Sequence, residues 1–267
     1  MSDSLLPTHS NTLDPASLSC PRILCLHGGG SNARIFRIGC RVLEAQLSNR
    51  ARLVYADGPF FASPGPLIAG FFTEWGPFRS WLPPDLGVGP GKGQGVKRIY
   101  EDPTDADMVI EKIHQSFQKT MDDDDRAGGT GPWVGLLGFS QGAKIVASLL
   151  LRQQINLGGS IPLPCFQFGT LVAGSAPLVW LGSTETYQRT RELSVECLLR
   201  IPTVHVYGRH DCLIQSSAEW LYQCCLPDSR RVFVWEGDHV MPTRTRDVSA
   251  IVEMIVELLE GLANRLF

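Results

Sequence analysis

The sequence predicts an α/β fold: a mostly parallel sheet with helices on both faces. Three observations carry the prediction. Short, mostly apolar runs alternate along the chain with segments of helical period, the signature of βαβ units. Runs such as Arg22–Leu26 and Trp133–Phe139 are apolar nearly throughout, as expected of strands covered on both sides. Several of them stop at Gly, Asp or His, and in such sheets functional residues gather at the carboxyl ends of the strands.

Taken in order, Arg22–Leu26 (RILCL) reads as the first strand and ends at His27 and three glycines. A helix over residues 33–48 follows, because Phe36, Cys40, Leu43 and Leu47 recur at three- and four-residue steps. Arg52–Ala56 (RLVYA) is the next strand. Val109, Ile110, Ile113 and Phe117 share one face of a helix over 105–118. Trp133–Phe139 (WVGLLGF) is a buried strand backed by a helix over 142–155. Phe166–Ala173, Thr203–Tyr207 and Arg231–Trp235 are further strands, with a short helix over 216–225 between the last two. Residues 247–263 form a closing amphipathic helix, apolar at Val248, Ile251, Val252, Ile255, Leu258, Leu259 and Leu262.

Two stretches interrupt this alternation. Residues 58–95 hold nine Gly, seven Pro and seven of the 23 aromatics. So long a connection is uncommon inside a compact domain unless it serves function. Residues 58–100 therefore read as a lid or pocket-wall insertion. Phe71, Phe72, Trp75 and Trp81 are its candidates for lining an apolar pocket, the alternative being a satellite aromatic cluster packed on the core. Residues 121–131 (MDDDDRAGGTG) read as a solvated acidic loop, since adjacent carboxylates repel one another and do not converge on one cation.

Composition excludes several classes. Lys and Arg number 24 against 27 Asp and Glu, a net charge of −3, which argues against nucleic acid as the main partner. No apolar stretch reaches the ~18 residues of a membrane span. The first twenty residues lack a basic start and an apolar core, so they read as a flexible tail, not a secretion signal. Residues 21–267 then form a single domain. Eight cysteines with no CxxC pair imply reduced thiols in the cytoplasm, with no metal site.

Chemistry concentrates at three strand ends. Gly138-Phe139-Ser140-Gln141-Gly142 is a G-x-S-x-G sequence lying between a buried strand and a helix, the place of a nucleophile elbow. Alone the motif is weak; its context is not. Serine needs a base to become nucleophilic, and the base needs an orienting acid. Asp211 follows the strand Thr203–Tyr207, and His239 follows Arg231–Trp235, in the hydrolase order Ser, acid, His. His210 and Asp238 are the local rivals. His27-Gly28-Gly29-Gly30 fits an oxyanion loop. There Gly29 and Gln141 would supply backbone N–H groups, and His27 would be structural.

The chain resembles the fungal FSH1-type serine hydrolases, a family of α/β-hydrolases. It is most similar to the lovastatin-type polyketide-releasing thioesterases. The likeness spans most of residues 21–263. It rests on LCLHGGGSNARIFR, LVYADGPF, GPFRSWLPP, GFSQGA, IPTVHVYGRHD and GDHVMPTRTRDV, and is weakest over 58–100. The resemblance implies an α/β-hydrolase fold, no cofactor, and hydrolytic release of an acyl or polyketide chain from a carrier-protein thioester. The partner would be the acyl carrier protein domain of a polyketide synthase. Arg34, Arg37 and Arg41 share one face of the 33–48 helix, and Arg244 and Arg246 follow His239. These five are the candidates for docking an acidic carrier, with ordinary solvated arginines as the alternative. Two other readings stand beside it: a carboxylesterase on small esters, and a non-catalytic binding protein on the same scaffold.

Overall fold

The computed structural model describes residues 17–83, 96–97, 103–155, 163–175, 177–183, 187, 199–212, 215 and 224–263. Its strands are β1 (Arg22–Leu26), β2 (Arg52–Ala56), β3 (Phe60–Phe61), β4 (Arg79–Ser80), β5 (Val96–Lys97), β6 (Trp133–Phe139), β7 (Phe168–Val172), β8 (Leu178–Val179), β9 (Thr203–Gly208) and β10 (Arg230–Trp235). Its α-helices are α1 (Ala33–Gly39), α2 (Arg41–Leu47), α3 (Pro66–Ala69), α4 (Pro103–Arg126), α5 (Gln141–Gln154) and α6 (Thr245–Ala263). Six strands form the main sheet in the order β10-β9-β7-β6-β1-β2, and every neighbouring pair is parallel.

The period-two geometry of strands divides the core into two layers. Leu24, Leu26 and Leu136 point to one face, where α4 and α5 pack with Phe117, Ile113, Val146 and Leu150. Ile23, Cys25 and Leu137 point to the other, which α1, α2 and α6 cover with Phe36, Leu43, Val248, Ile251 and Ile255. The helices that follow β1 and β6 begin at the carboxyl edge of the sheet, so the loops preceding them meet there.

Three expectations change. The predicted 33–48 helix is two short helices with a break at Cys40, whose backbone (φ −89°, ψ 2°) ends α1 and starts α2. Gly39, a weak helix former, immediately precedes the break. Arg34 and Arg37 therefore lie on α1, and Arg41 opens α2.

The acidic stretch is the second correction. α4 continues through Asp122–Asp125, and Asp124 is buried instead of solvated. The run is divided between the surface and a buried pair of cations, and Asp124 and the exposed Asp125 both pair with Arg22. Asp124 accepts hydrogen bonds from Arg52 (2.5 Å) and Arg22 (2.9 Å), both buried. Asp123 pairs with Lys119 and Arg126, and Asp122 accepts from Gln118. Burial pushes the Asp124 carboxyl up, but the two guanidiniums outweigh it and hold the group below its ordinary value.

The third concerns the tail. Residues 1–16 lie outside the described residues, but residues 17–20 are tied to the body: Leu18 O accepts from Thr130 N (2.8 Å) and Gly131 N (3.1 Å). Most of the helix expected over 216–225 also lies outside the described residues.

Candidate active site

Ser140 sits between β6 and α5 with φ 53° and ψ −114°, a backbone strained for an L-residue that raises its side chain out of the turn. The flanking glycines make this turn possible. A Cβ on Gly138 would lie 2.4 Å from Gly142 O, and one on Gly142 would lie 2.1 Å from Leu26 O. Ser140 N–H donates to Val172 O (2.8 Å), which ties the elbow to β7.

His239 Nε2 lies 2.9 Å from Ser140 Oγ, and its Nδ1 lies 2.8 Å from Asp211 Oδ2. The Asp211 side chain is fully buried, whereas the imidazole keeps 19% exposure. Asp211 directs Nδ1–H toward itself, which leaves Nε2 as the acceptor for the Ser140 hydroxyl. The Phe139 ring packs 5.1 Å from the imidazole. The two loops that carry the acid and the histidine are joined by His210 N–H to Gly237 O (2.9 Å). The rivals face elsewhere: the His210 ring is exposed beside Glu236 at 3.2 Å, and Asp238 is exposed.

The glycine loop after β1 overlies the start of α5. A Cβ on Gly29 would lie 3.3 Å from the Gln141 side chain. Gln141 N–H opens α5 and has no carbonyl within the helix to bond. His27 is buried, and burial pushes its pKa down to about 4, so the ring is neutral. Nδ1–H donates to Gly28 O (2.7 Å), Nε2 accepts from Gly58 N–H (2.9 Å), and its carbonyl accepts from Trp81 Nε1–H (2.8 Å). His27 is thus a clamp between the glycine loop and the turn after β2.

The sequence profile of the family described as "Serine hydrolase (FSH1)" matches residues 16–251. The chain belongs to the FSH1 serine hydrolase family. A probable esterase of Aspergillus terreus (strain NIH 2624 / FGSC A1156) is 42% identical over 256 residues, covering 92% of this chain and 91% of that protein. Esterase claE of Penicillium crustosum is 41% identical over 270 residues, covering 93% and 96%. Among solved structures, esterase PE8 aligns with a TM-score of 0.55 at 19% identity, covering 92% of this chain and 96% of that one. Arabidopsis thaliana SOBER1 aligns at 0.53 and 17%, covering 90% and 100%. At such identities these two speak for the α/β-hydrolase fold alone. Family and relatives together make this protein a hydrolytic enzyme.

In this FSH1 hydrolase residues of the insertion's described part are bonded to the glycine loop. Gly30 N–H donates to Arg79 O (2.9 Å), Arg79 N–H to Ser31 O (2.6 Å), and Gly65 N–H to Gly30 O (2.9 Å). The approach demands glycine at position 30, where φ is +70° and a Cβ would lie 2.4 Å from Gly65 N. Sequence reasoning misses two side chains that hold this segment. Asn32 caps α1 through Oδ1 (Ile35 N, 2.9 Å) while its Nδ2 donates to Trp75 O (2.8 Å) and Pro77 O (3.2 Å). Its place before a helical run is an N-cap signal. The Gln141 side chain accepts from Trp81 N–H (2.8 Å) and Ser80 Oγ–H (3.0 Å); no sequence signal marks that bond.

The four pocket candidates scatter. Trp81 is a correction: it is fully buried behind the glycine loop, 5.2 Å from the His27 ring and 5.3 Å from Phe117, because its N–H needs the buried His27 carbonyl. Phe71 is 86% exposed. Phe72 and Trp75 pack edge to face at 5.4 Å.

The five arginines are exposed but not equivalent. Arg34 lies over Trp75, Arg37 pairs with Glu44 (3.0 Å), and Arg41 donates to Ile38 O (3.3 Å). Arg244 and Arg246 flank Thr245, whose carbonyl accepts from Gln46 of α2 (3.3 Å). The two arginine groups therefore sit on adjoining elements. Among the described residues no His, Cys, Asp and Glu cluster could hold a metal, and no helix is long and apolar enough to cross a membrane.

Proposed function

We propose that this FSH1 hydrolase is a trans-acting thioesterase that releases a polyketide or other acyl chain from an acyl carrier protein domain, with Ser140, His239 and Asp211 as its catalytic triad. The observation that carries the chemistry is the hydrogen-bonded line from Asp211 through His239 to Ser140. His239 Nε2 takes the hydroxyl proton as Ser140 Oγ attacks the thioester carbonyl. The new oxyanion is held by the Gly29 and Gln141 N–H groups. Collapse breaks the C–S bond, and the departing sulfur takes the proton from His239. Water then enters, gives its proton to His239, and the ester to Ser140 breaks to yield the free acid and the restored hydroxyl. Asp211 keeps the imidazole in the working tautomer and balances its transient charge.

The thioester assignment rests on the motifs shared with polyketide-releasing thioesterases and on the arginines of α1, α2 and the start of α6, which suit an acidic carrier. A cytoplasmic setting fits the free thiols of the described cysteines. A second reading, an esterase on small esters, is favoured by the names that the relatives carry. Hydrolysis of the same acyl group presented on a carrier protein and as a simple ester separates the two. A fluorophosphonate that labels the wild type but not Ser140→Ala excludes a non-catalytic binding protein.

A further inference from the structure

We propose that Arg34 and Arg79, each stacked on an aromatic ring beside the glycine loop, form a binding site for the phosphate of a pantetheine arm. The inference rests on the thioesterase reading above and adds what would seat the arm's phosphate. Phe61 and Arg79 are directly opposed in the antiparallel β3–β4 ribbon, as are Phe60 and Ser80. Side chains alternate across a ribbon. Ser80 therefore turns inward, where it is buried and bonded to Gln141, and Phe61 and Arg79 turn outward, where Phe61 is 68% exposed. The Arg79 guanidinium lies 3.9 Å from the Phe61 ring centroid.

Arg34 repeats the arrangement on the adjoining segment, 3.8 Å from the Trp75 centroid. Both arginines are fixed to the same short piece of the glycine loop. Arg79 is bonded through its backbone to Gly30 and Ser31, and Asn32 holds the Trp75 carbonyl. Neither guanidinium has a carboxylate or hydrogen-bond partner among the described residues, unlike Arg22, Arg37, Arg50, Arg52, Arg126, Arg209 and Arg231. A guanidinium lying on a ring uses its face and leaves its in-plane N–H donors free, the geometry that binds phosphate oxygens. Arg244 and Arg246 also have no carboxylate or hydrogen-bond partner among the described residues, but of the four only Arg34 and Arg79 lie over an aromatic ring. A phosphate there would anchor the far end of the arm while its thioester reaches over the ribbon edge to Ser140.

The test uses p-nitrophenyl butyrate hydrolysis as reporter and S-methyl pantetheine, with and without its 4′-phosphate, as competitive inhibitors. Each variant's inhibition constants are compared with one another, so a change in its own rate cancels. In the wild type the phosphorylated form should inhibit at least tenfold better, and the advantage should shrink with added salt. In the double variant Arg34→Gln/Arg79→Gln it should fall below twofold. Equal inhibition by both forms in the wild type, or a phosphate advantage that survives the double substitution, overturns the proposal. S-methyl coenzyme A and a carrier protein bearing the S-methylated arm distinguish a free cofactor from a carrier as the source of the phosphate; tighter inhibition by either supports the site. If the phosphate advantage holds but the enzyme cleaves no acyl thioester, the thioesterase reading falls and the site stands.

Discussion

Ser140 and His239 act as one unit in the proposed reaction, so losing either removes most of what both provide. Ser140→Ala or His239→Ala should lower kcat by roughly 10⁴–10⁶. Asp211→Asn should cost less, because the imidazole still functions in its poorer tautomer. Asp238→Asn should remain near wild type, since Asp238 is exposed and outside the hydrogen-bonded line. Steady-state ester hydrolysis by the four variants checks the set, and an inactive Asp238→Asn beside an active Asp211→Asn would reverse the assignment of the acid. Ser140, Asp211 and His239 are legible in the sequence because each follows a strand end, and strand ends of a parallel sheet share one edge. Trp81 is not, for a different reason. Aromatic content in an insertion says nothing about which ring has a buried carbonyl to satisfy, and Trp81 has the carbonyl of His27.

Elements show a similar contrast between pattern and azimuth. The six main strands are readable because each is a short run that contributes apolar side chains to the core, and α6 because its apolar stripe is regular. The charge run Asp122–Asp125 is not, because a run of like residues does not reveal that one member faces two buried arginines. Asp124→Asn should remove the carboxylate that buried Arg52 pairs with, leave buried Arg22 with only the exposed Asp125, and destabilise the protein by about 3–5 kcal/mol. A lowered urea midpoint with unchanged slope would show it. Unchanged stability would mean that water replaces the carboxylate. At the glycine loop, Gly30→Ala should push the Gly65 segment away, given φ +70° and the 2.4 Å approach. Reduced activity together with faster proteolysis within residues 58–83 would be its signature.

For the molecule as a whole, the three histidines buried among the described residues weaken the fold in acid. Burial, first among the causes, lowers the pKa of His27 and His114 to about 4 and of His205 to about 3. Unfolding returns each toward its ordinary value of 6.5. Between those limits the unfolded chain binds more protons than the folded one, so stability rises with pH and is lost as pH falls from 6.5 toward 4. The urea midpoint should therefore drop steadily across that window, and less steeply in His114→Gln. A flat profile would show that these rings titrate normally in the fold. Release of an acyl chain through Ser140 is tested most directly by intact-protein mass spectrometry during turnover of an acyl chain loaded on a carrier protein. The expected result is a transient acyl adduct on the wild-type enzyme, free acid and emptied carrier in equal amounts, and neither adduct nor acid with Ser140→Ala. An enzyme that leaves the acyl carrier intact while hydrolysing the same acyl group from a small ester would contradict it.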